Sequence, residues 1–484
     1  MDQNKFPCHI ESSSHRDRAL APFSSQVRVN LLFPVVFYFF AEYSLQQVEN
    51  QLTMSLMRKL DVIIFGASGF TGKYTVYEGV KLLANTSWAI AGRTKSKLEA
   101  VLVEMGRKSG TDLSHIPIVL ADVDDQQSLV RMAQQCKIVV NCCGPYRLFG
   151  EQMIKACLEA GTHHVDVSGE QQFLEGMQLK YHEAAKQKGI YLVSACGFES
   201  IPADMGTLFV EREFDGGVVN SVECYVCTRM KRKSLLGAIH YGTWASAVHM
   251  IANMKEVGQI RRELFKVKLP ELFPRLKERP AIHKSSGNKW SLPLVGPDRS
   301  CVLRTQRFLY ETERKRPVQM RTYISFGGVA EALVVSFVAI VFWLLVKTTF
   351  GQQLLLKYPR VFSLGLVSHQ GPSDEAMNNT HFSMYFEGRG WEENLSDPFD
   401  KYVYPPNKIV RTKVTGTNPG YGATCVALLL SARTILKETA KLPGNGGYLT
   451  PGAAFAKTNL IAELCDNGFT FEVLSKSKIE RSNE

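Results

Sequence analysis

The sequence predicts an α/β protein in which a doubly wound parallel sheet carries an inserted α+β domain. Three observations support this fold class. Short β-branched runs alternate with stretches of helical length between residues 60 and 195, as in strand–helix–strand units. The first of these runs leads directly into a glycine-rich turn. Beyond residue 206 the pattern changes to longer alternating strands, which are typical of a sheet with one covered face.

Six short runs are predicted to form the strands of the parallel sheet, because amphipathic stretches of helical length separate them. In chain order they are Asp61–Phe65, Trp88–Ala91, Ile116–Leu120, Ile138–Cys142, His164–Val167 and Ile190–Ser194. Parallel strands end at a common edge, and doubly wound sheets bind their ligands beyond that edge. Residues that directly follow a strand are therefore the first candidates for function.

The glycine-rich turn after the first strand predicts a dinucleotide site. It consists of Gly66, Ala67, Ser68, Gly69, Phe70, Thr71 and Gly72. Gly66 permits a tight turn, Gly69 lets the backbone approach a pyrophosphate, and Gly72 lets the helix pack closely on the strand. The start of that helix offers free N–H groups and the positive end of its dipole. The spacing is G-x-x-G-x-x-G, and the order of strand, turn and helix gives the signal its specificity.

The end of the second strand favours NADP(H) over NAD(H). Arg93 stands where an NAD-binding fold usually has an acidic residue for the ribose 2′-hydroxyl. A guanidinium pairs with a 2′-phosphate, and Lys95 adds a second charge. Asp122, after the third strand, is placed to meet the adenine, although helix capping by Asp122, Asp124 or Asp125 explains that cluster almost as well. NAD(H) remains the alternative cofactor.

The loop after the fourth strand is predicted to border the nicotinamide. It contains Cys143, Gly144, Pro145 and Tyr146. Gly144 lets the backbone come close, Pro145 stiffens the loop, and Tyr146 either walls the ring or donates a proton. A purely structural aromatic residue is the alternative for Tyr146.

No spacing rule fixes the residue for proton transfer, and the candidates are Tyr146, Glu199, Asp204, His240 and Tyr241. Glu199 lies in the polar turn after the sixth strand, and His240 stands at a predicted helix start, where N–H groups can hold an anionic or carbonyl group. Cys196 precedes Glu199, and a small buried thiol is favoured there over a nucleophile.

The chain has 484 residues, of which 45% are hydrophobic and 21% charged, which excludes a disordered or fibrous protein. Its 11 cysteines have no repeated spacing and predict a reducing compartment. Cys224 and Cys227 lack a second ligand pair, so no metal site is predicted.

The patterns divide the chain into four parts. They are an extension over 1–53 that we expect to be poorly ordered, a dinucleotide-binding domain over 54–206, an inserted α+β domain over 207–416, and C-terminal helices over 417–484 that return to the dinucleotide-binding domain.

The formal charge of +11 is concentrated in a basic segment, residues 255–321, which holds 17 Lys or Arg and 7 acidic residues. Directly behind it, within residues 328–366, lies the most apolar run of the chain, Ala332–Val346. Basic residues beside apolar ones favour a lipid surface, where a hairpin dips into one leaflet. A buried core helix is the alternative. Nucleic acid is not predicted, because no recognition motif accompanies the charge.

Several motifs together resemble those of the saccharopine dehydrogenase-like oxidoreductases. They are FGASGFTG, AGR, NCCGPYRLFGE, GFESIPAD, TNPGYGAT and GGYLTPGAAFAKTNLIAEL, and the match runs from about Leu60 to Val473. The resemblance implies a Rossmann-type domain with an inserted α+β domain that carries the substrate side and, in related saccharopine reductases, the dimer contacts. A homodimer is therefore expected. Arg147 and Arg229 are candidates for clamping the carboxylates of a saccharopine-like substrate.

The apolar run resembles instead the lipid-linked branch of the family, which includes trans-acting enoyl reductases and animal members associated with lipid droplets and membranes. We therefore expect an intracellular NAD(P)H-dependent oxidoreductase that reduces a lipophilic substrate at a lipid droplet or at the cytosolic face of a membrane. Two alternatives stay open. One is an NADPH-binding scaffold without turnover, and the other is a true saccharopine dehydrogenase.

Overall fold

The computed structural model describes residues 59–479 except 199, 231–235, 286, 395–396, 398–400 and 403, and it contains a seven-stranded parallel sheet. Its strands are β1 (Leu60–Phe65), β2 (Trp88–Gly92), β3 (Ile118–Leu120), β4 (Cys136–Asn141), β5 (His163–Asp166), β6 (Tyr191–Val193) and β15 (Gly447–Leu449). Their spatial order is β15-β6-β5-β4-β1-β2-β3. The predicted doubly wound parallel sheet is confirmed.

Helices cover both faces of this sheet. They are α1 (Phe70–Leu82), α2 (Lys95–Ser109), α3 (Gln126–Ala133), α4 (Tyr146–Ala160), α5 (Gln171–Gln187) and α6 (Ser200–Arg212). Strand β1 shows why the sheet lies in the middle. Val62 and Ile64 are buried in the core on one face, while Ile63 and Phe65 are buried in the core on the other. A strand with two buried faces reads as a continuous apolar run.

A second seven-stranded sheet follows, with mixed strand directions. In spatial order its strands are β16 (Thr470–Lys478), β14 (Lys408–Thr417), β13 (His381–Trp391), β7 (Val218–Arg229), β11 (Gln319–Phe326), β10 (Trp290–Pro293) and β9 (His283–Lys284). Helix α6 packs against β7, β13 and β14. Gly206 makes this close packing possible, since a Cβ there would lie 2.4 Å from the Phe386 ring.

A two-stranded parallel ribbon and several helices complete the inserted part of the fold. The ribbon pairs β8 (Ile239–His240) with β12 (Val367–Ser368). The helices are α7 (Tyr241–Ala252), α8 (Met254–Leu264), α9 (Pro297–Glu313), α10 (Val329–Val346), α11 (Thr349–Lys357), α12 (Pro359–Phe362) and α13 (Asp374–Asn378). Helix α7 packs against α10 and α11 on one side and approaches α4 on the other.

The C-terminal part contributes to both sheets. Helices α14 (Thr424–Lys437), α15 (Pro451–Phe455) and α16 (Leu460–Asp466) follow a short π-helical turn over Pro419–Ala423. Helix α14 packs against β4, β5 and α1. Helices alone were predicted for 417–484, but β15 extends the parallel sheet and β16 pairs with β14. The extension predicted over 1–53 lies outside the described residues.

Candidate active site and apolar surface

The glycine-rich turn forms a tight junction between β1 and α1. Gly66 has φ +75°, and a Cβ there would lie 3.0 Å from the Cys143 nitrogen. A Cβ on Gly72 would lie 2.1 Å from the Gly66 carbonyl oxygen, so the first turn of α1 rests on the loop itself. The Gly69 N–H donates to that same oxygen at 2.9 Å. No acidic residue stands in the first turn of α1, so the positive end of the helix faces the loop uncompensated.

The loop after β4 packs directly against this turn. The Cys142 N–H donates to the Phe65 carbonyl at 2.9 Å, and the Cys143 N–H donates to Asn141 Oδ1 at 3.0 Å. Strands β1 and β4 are neighbours in the sheet, and β2 lies on the other side of β1. The junction is therefore the point where strand order reverses, which is where doubly wound sheets bind dinucleotides. We call it the crevice.

Arg93 and Asp122 border the crevice from the β2 and β3 side. Burial raises the pKa of the Cys143 thiol to about 11, the nearby Arg93 opposes this shift, and Asp122 adds to it. Arg93 is exposed, so its guanidinium is accessible to an anion. Lys95 instead forms an ion pair on the surface of α2, where its Nζ lies 3.7 Å from Glu99 Oε1.

The acidic cluster after β3 divides its roles. Asp125 caps α3, because its carboxylate accepts from the Ser128 N–H at 3.1 Å. Asp122 accepts from the Asp124 N–H at 3.2 Å, which is a local turn contact. Asp125 is therefore the residue that caps the helix, as the capping alternative proposed. Asp122 stays a candidate for contact with the adenine of the dinucleotide.

Tyr146 holds the crevice loop from behind. It is the first residue of α4, its ring is buried, and its hydroxyl donates to the Asn141 carbonyl at 2.9 Å. Burial, with a contribution from the Asp166 charge, raises the pKa of this hydroxyl well above its ordinary value. A buried hydroxyl that bonds to the sheet backbone is poorly placed to give a proton to a ligand. The geometry thus argues against the predicted role as proton donor and favours a positioning role.

His240 packs directly on the glycine-rich turn. Its ring stacks on Phe70 with the centroids 4.9 Å apart, and its Nδ1 accepts from the Gly242 N–H at 3.0 Å, which caps α7. Burial lowers the pKa of its imidazole, with smaller contributions from His369 and Lys73, while a backbone hydrogen bond with His369 raises it. The ring is therefore neutral near pH 7. The structure thus brings His240 into contact with Phe70, although the sequence analysis had predicted the two residues as parts of separate motifs. Glu199 lies outside the described residues.

Two buried carboxylates at the end of β5 escaped the sequence prediction. Glu170 accepts from the Tyr146 and Arg147 N–H groups, both at 2.9 Å, and so caps α4 beside the crevice. Asp166 accepts from the Ser194 hydroxyl at 2.7 Å and from the Ala195 N–H at 3.2 Å, which holds the turn after β6. The signal was available, because Asp166 ends β5 and Glu170 follows it at the same edge of the sheet.

Two further residues singled out in the sequence, Cys196 and Arg147, are engaged within the fold. Cys196 is fully buried and burial raises the pKa of its thiol well above the ordinary value, as expected for an inert thiol. Arg147 makes a bidentate pair with Glu256, with both nitrogen–oxygen distances at 2.7 Å. In the described ranges no group of three or more His, Cys, Asp or Glu side chains is placed to hold a metal ion.

Ion pairs with acidic residues neutralise part of the positive charge of the basic segment. Arg261 pairs with Glu175 at 2.6 Å and Arg279 pairs with Glu223 at 2.7 Å. The first of these pairs ties α8 to α5, and the second ties the loop before β9 to β7. These cations hold the inserted elements together, which reduces the charge that they offer to a lipid surface.

Helix α10 is an exposed apolar helix, so the alternative of a buried core helix is wrong. It has 18 residues with a mean hydropathy of 2.6, and only 11% of them are buried. By length and composition it is the one helix among the described residues that is suited to cross a membrane. Its exposed large side chains are Val329, Leu333, Val334, Val335, Phe337, Ile340, Trp343 and Leu344. Near its end the Lys347 Nζ lies 3.1 Å from the centroid of Trp343.

Comparisons with known proteins support a dinucleotide-binding domain and identify relatives of the chain. The sequence profile described as the saccharopine dehydrogenase NADP binding domain matches residues 62–193, which confirms NADP(H) as the predicted cofactor. The saccharopine dehydrogenase-like oxidoreductase of Mus musculus is 38% identical over 431 residues, covering 87% of this chain and 99% of the mouse protein.

Two further relatives have names that mention lipid or a reductase. The lipid droplet localized protein of Caenorhabditis elegans is 35% identical over 436 residues, covering 87% of this chain and 99% of its own. The putative trans-acting enoyl reductase of Mycobacterium tuberculosis is 27% identical over 423 residues, covering 82% of this chain and 93% of its own.

Proposed function

The chain belongs to the saccharopine dehydrogenase-like oxidoreductases, and we propose that it is an intracellular NADPH-dependent reductase of lipophilic substrates that works at a lipid surface. The observation that carries this proposal is the position of α7. At its N-terminal cap His240 stacks on Phe70 of the glycine-rich turn. Val248, about 12 Å further along the helix, is buried against Val346 of α10. One short helix therefore joins the crevice to the apolar surface.

The crevice suits a dinucleotide. Gly66 and Gly72 let the β4 loop and the start of α1 pack directly on the turn, because a Cβ at either position would meet backbone atoms, and the uncompensated start of α1 attracts a pyrophosphate. Exposed Arg93 suits a 2′-phosphate, because a guanidinium makes bidentate contacts with phosphate oxygens. When bound, NADPH supplies the hydride for reduction. Residues 143–145 then border the reacting end, and Tyr146 and Glu170 fix that loop from behind.

The apolar helix α10 lies in the plane of the lipid surface rather than across it. Ala332, near its start, is fully buried, and Val346, at its end, is buried against Val248 and Leu355. A membrane-spanning helix places its two ends on opposite sides of the bilayer. Both ends of α10 instead pack on the same folded unit, so the helix enters one leaflet from one side.

The charge around α10 suits anionic head groups. From Ala332 to Pro372 the chain contains Lys347, Lys357 and Arg360 and no acidic residue. Cations at the edge of an apolar surface attract anionic lipid, while the aromatic and aliphatic side chains enter the acyl region. The worm relative is named for lipid droplets, and a droplet monolayer accepts an in-plane helix. We therefore propose a droplet as the location.

A lipid-linked C=C, C=N or C=O group is the proposed substrate class. The apolar surface beside the crevice and the enoyl reductase name of the mycobacterial relative support it. True saccharopine dehydrogenation is less well supported, because Arg147, a candidate for binding substrate carboxylates, is paired with Glu256. A homodimer stays a prediction.

A scaffold that binds NADPH without turnover is the second candidate. It is favoured by the hydrogen bonds that occupy two of the candidates for proton transfer, the His240 ring and the Tyr146 hydroxyl. Glu199 stays a prediction for that role.

The test joins lipid binding to turnover. Purified protein is floated with artificial droplets coated with a phosphatidylcholine and phosphatidylserine monolayer, and NADPH oxidation is followed with enoyl, imine and aldehyde lipids in the droplets. We expect flotation and turnover by the native chain and loss of both in Phe337→Glu/Ile340→Glu. Val103→Glu is the matched control, because Val103 is an equally apolar residue, 61% exposed on α2. Flotation without NADPH oxidation would favour the scaffold, and unchanged flotation of the double variant would exclude α10 as the lipid-binding element.

A further inference from the structure

We infer that the ribbon of β8 and β12 is the entrance through which an acyl chain passes from the lipid surface into the crevice. This inference rests on the proposed function and adds the route of the substrate. The ribbon contacts α12 through β12, and His240 in β8 contacts Phe70 of the glycine-rich turn.

Aliphatic side chains line the outer side of the ribbon and the turns beside it. The exposed fractions are 68% for Leu236, 38% for Ile239, 68% for Val361 and 66% for Leu364. The backbone brings them together, because the Gly237 N–H donates to the Gly365 carbonyl at 2.8 Å. Scattered exposed aliphatic residues are ordinary, but a group of neighbours indicates a binding surface.

This group continues the surface of α10. Val361 belongs to α12, which directly follows α11 in the chain. The neighbouring Phe362 packs against the cluster of Val248, Val346 and Leu355 that holds the end of α10. Arg360, also in α12, is exposed and adds a cation beside the apolar group. A lipid layer that meets α10 therefore also meets the outer side of the ribbon.

The inner side of the ribbon faces the crevice. His240 follows Ile239 in β8, and neighbouring residues of a strand point to opposite faces. While Ile239 is partly exposed, His240 stacks on Phe70. One strand thus separates the apolar surface from the glycine-rich turn. At the end of the ribbon Tyr241 stacks on His369 with the centroids 4.2 Å apart, and an acyl chain that rounds this end reaches the crevice.

Site-specific photocrosslinking tests the route in the full chain. Benzoylphenylalanine replaces Ile239, Leu364 or Tyr241, with Phe337 as the position for lipid docking and Val103 as the exposed control. His369, which is exposed and stacks on Tyr241, is a second position at the same end of the ribbon if a change at Tyr241 destabilises the protein. Each variant is irradiated with phosphatidylcholine and phosphatidylserine vesicles that contain alkyne-tagged oleoyl phosphatidylcholine. Thermal unfolding and NADPH fluorescence titration show that it is folded and binds cofactor.

We expect oleoyl adducts at Ile239, Leu364 and Tyr241 at levels several-fold above Val103. Adducts at Phe337 alone would overturn the entrance and leave lipid docking intact. Adducts at Phe337, Ile239 and Leu364 without any at Tyr241 or His369 would also overturn it, because the chain would then stop at the outer side. Absence of adducts at Phe337 would overturn the entrance together with the proposed lipid docking, and loss of NADPH binding by the native chain would overturn the reductase separately.

Discussion

The His240 ring lies nearly parallel to the Phe70 ring, at an interplanar angle of 16° and a centroid distance of 4.9 Å. The two residues come from different parts of the fold, the glycine-rich turn and the cap of α7. Phe70 also meets Tyr421 edge to face at 4.6 Å, and the Tyr421 hydroxyl accepts from the His240 N–H at 2.9 Å. These contacts fix the start of α7 and the π-helical turn against the glycine-rich turn.

Substitutions at His240 separate its ring contact from its capping contact. His240→Asn keeps a side chain that can cap α7 but removes the ring, so we expect NADPH affinity to fall several-fold with little loss of stability. His240→Phe keeps a ring over Phe70 but removes the cap, which costs about 1 kcal/mol of unfolding free energy and leaves NADPH affinity near the native value. Fluorescence titration and urea unfolding measure the two effects. Equal NADPH affinity in all three proteins would show that the stack does not position the turn.

Gly72→Ala is expected to abolish NADPH binding. Its Cβ would lie 2.1 Å from the Gly66 oxygen and 2.8 Å from the Ala67 Cα, so α1 must move away from the loop. Such overpacking typically costs about 1–3 kcal/mol. Gly258→Ala in α8 is the matched control, because nothing lies within 4 Å of its Cβ position, and alanine in a helix is about 1 kcal/mol more favourable than glycine. Calorimetry with NADPH and thermal unfolding of both variants give the comparison, and normal binding by Gly72→Ala would refute the assignment of the turn.

Arg93→Ala is expected to remove the preference for NADPH. Hydrogen bonds to a charged group contribute about 1.5–3 kcal/mol, so NADPH affinity should fall about 10- to 100-fold while NADH affinity stays nearly constant. Lys95→Ala is the control, since Lys95 lies beside Glu99 on the surface of α2. Fluorescence titrations of both variants and the native chain with NADPH and with NADH measure these affinities. A larger loss of NADPH affinity in Lys95→Ala than in Arg93→Ala would transfer the 2′-phosphate contact to Lys95.

The central strands could be predicted from the sequence, because local pattern determines them. β1 is buried on both faces, and its apolar run shows this directly. β15, Gly447–Leu449, is as short as β3 and β6, but it lies far along the chain from the strand–helix alternation of residues 60–195 by which those strands were predicted. The stacking of His240 on Phe70 links residues far apart in the chain, and no local pattern encodes such a contact.

The direction in which a side chain points at the site could not be predicted from the sequence either. The position of Tyr146 after β4 was predicted, but its burial beneath the loop depends on packing against Phe173, 5.8 Å away between ring centroids. Composition likewise does not distinguish a buried apolar helix from an exposed one. For α10 that distinction comes from its neighbours, which bury Ala332 and Val346 and leave Phe337 68% exposed.

Asp204 gives the last prediction, which concerns stability and pH. Its carboxylate is fully buried where α6, α9 and α15 meet, and its Oδ2 accepts from the Thr305 hydroxyl and the Gly452 N–H, both at 2.7 Å. Burial raises the pKa of Asp204 from 3.8 to about 6, although both hydrogen bonds oppose the shift. Between these values the folded state holds a proton that the unfolded state has released. The stability contributed by this group is therefore present below about pH 4 and is lost as the pH rises through about 6.

Asp204→Asn is expected to remove this dependence, because the amide stays neutral and its oxygen can still accept a hydrogen bond. The unfolding free energy of the native chain, measured in urea relative to the variant, should then fall by up to about 3 kcal/mol as the pH rises from about 4 to 7. Asp215→Asn provides a control of opposite sign, since the Lys476 ion pair lowers the pKa of the exposed Asp215 carboxyl. Removing that group takes away stability that is present above the ordinary carboxyl pKa. A difference between native and Asp204→Asn protein that does not change with pH would show that Asp204 titrates alike in the folded and unfolded chains.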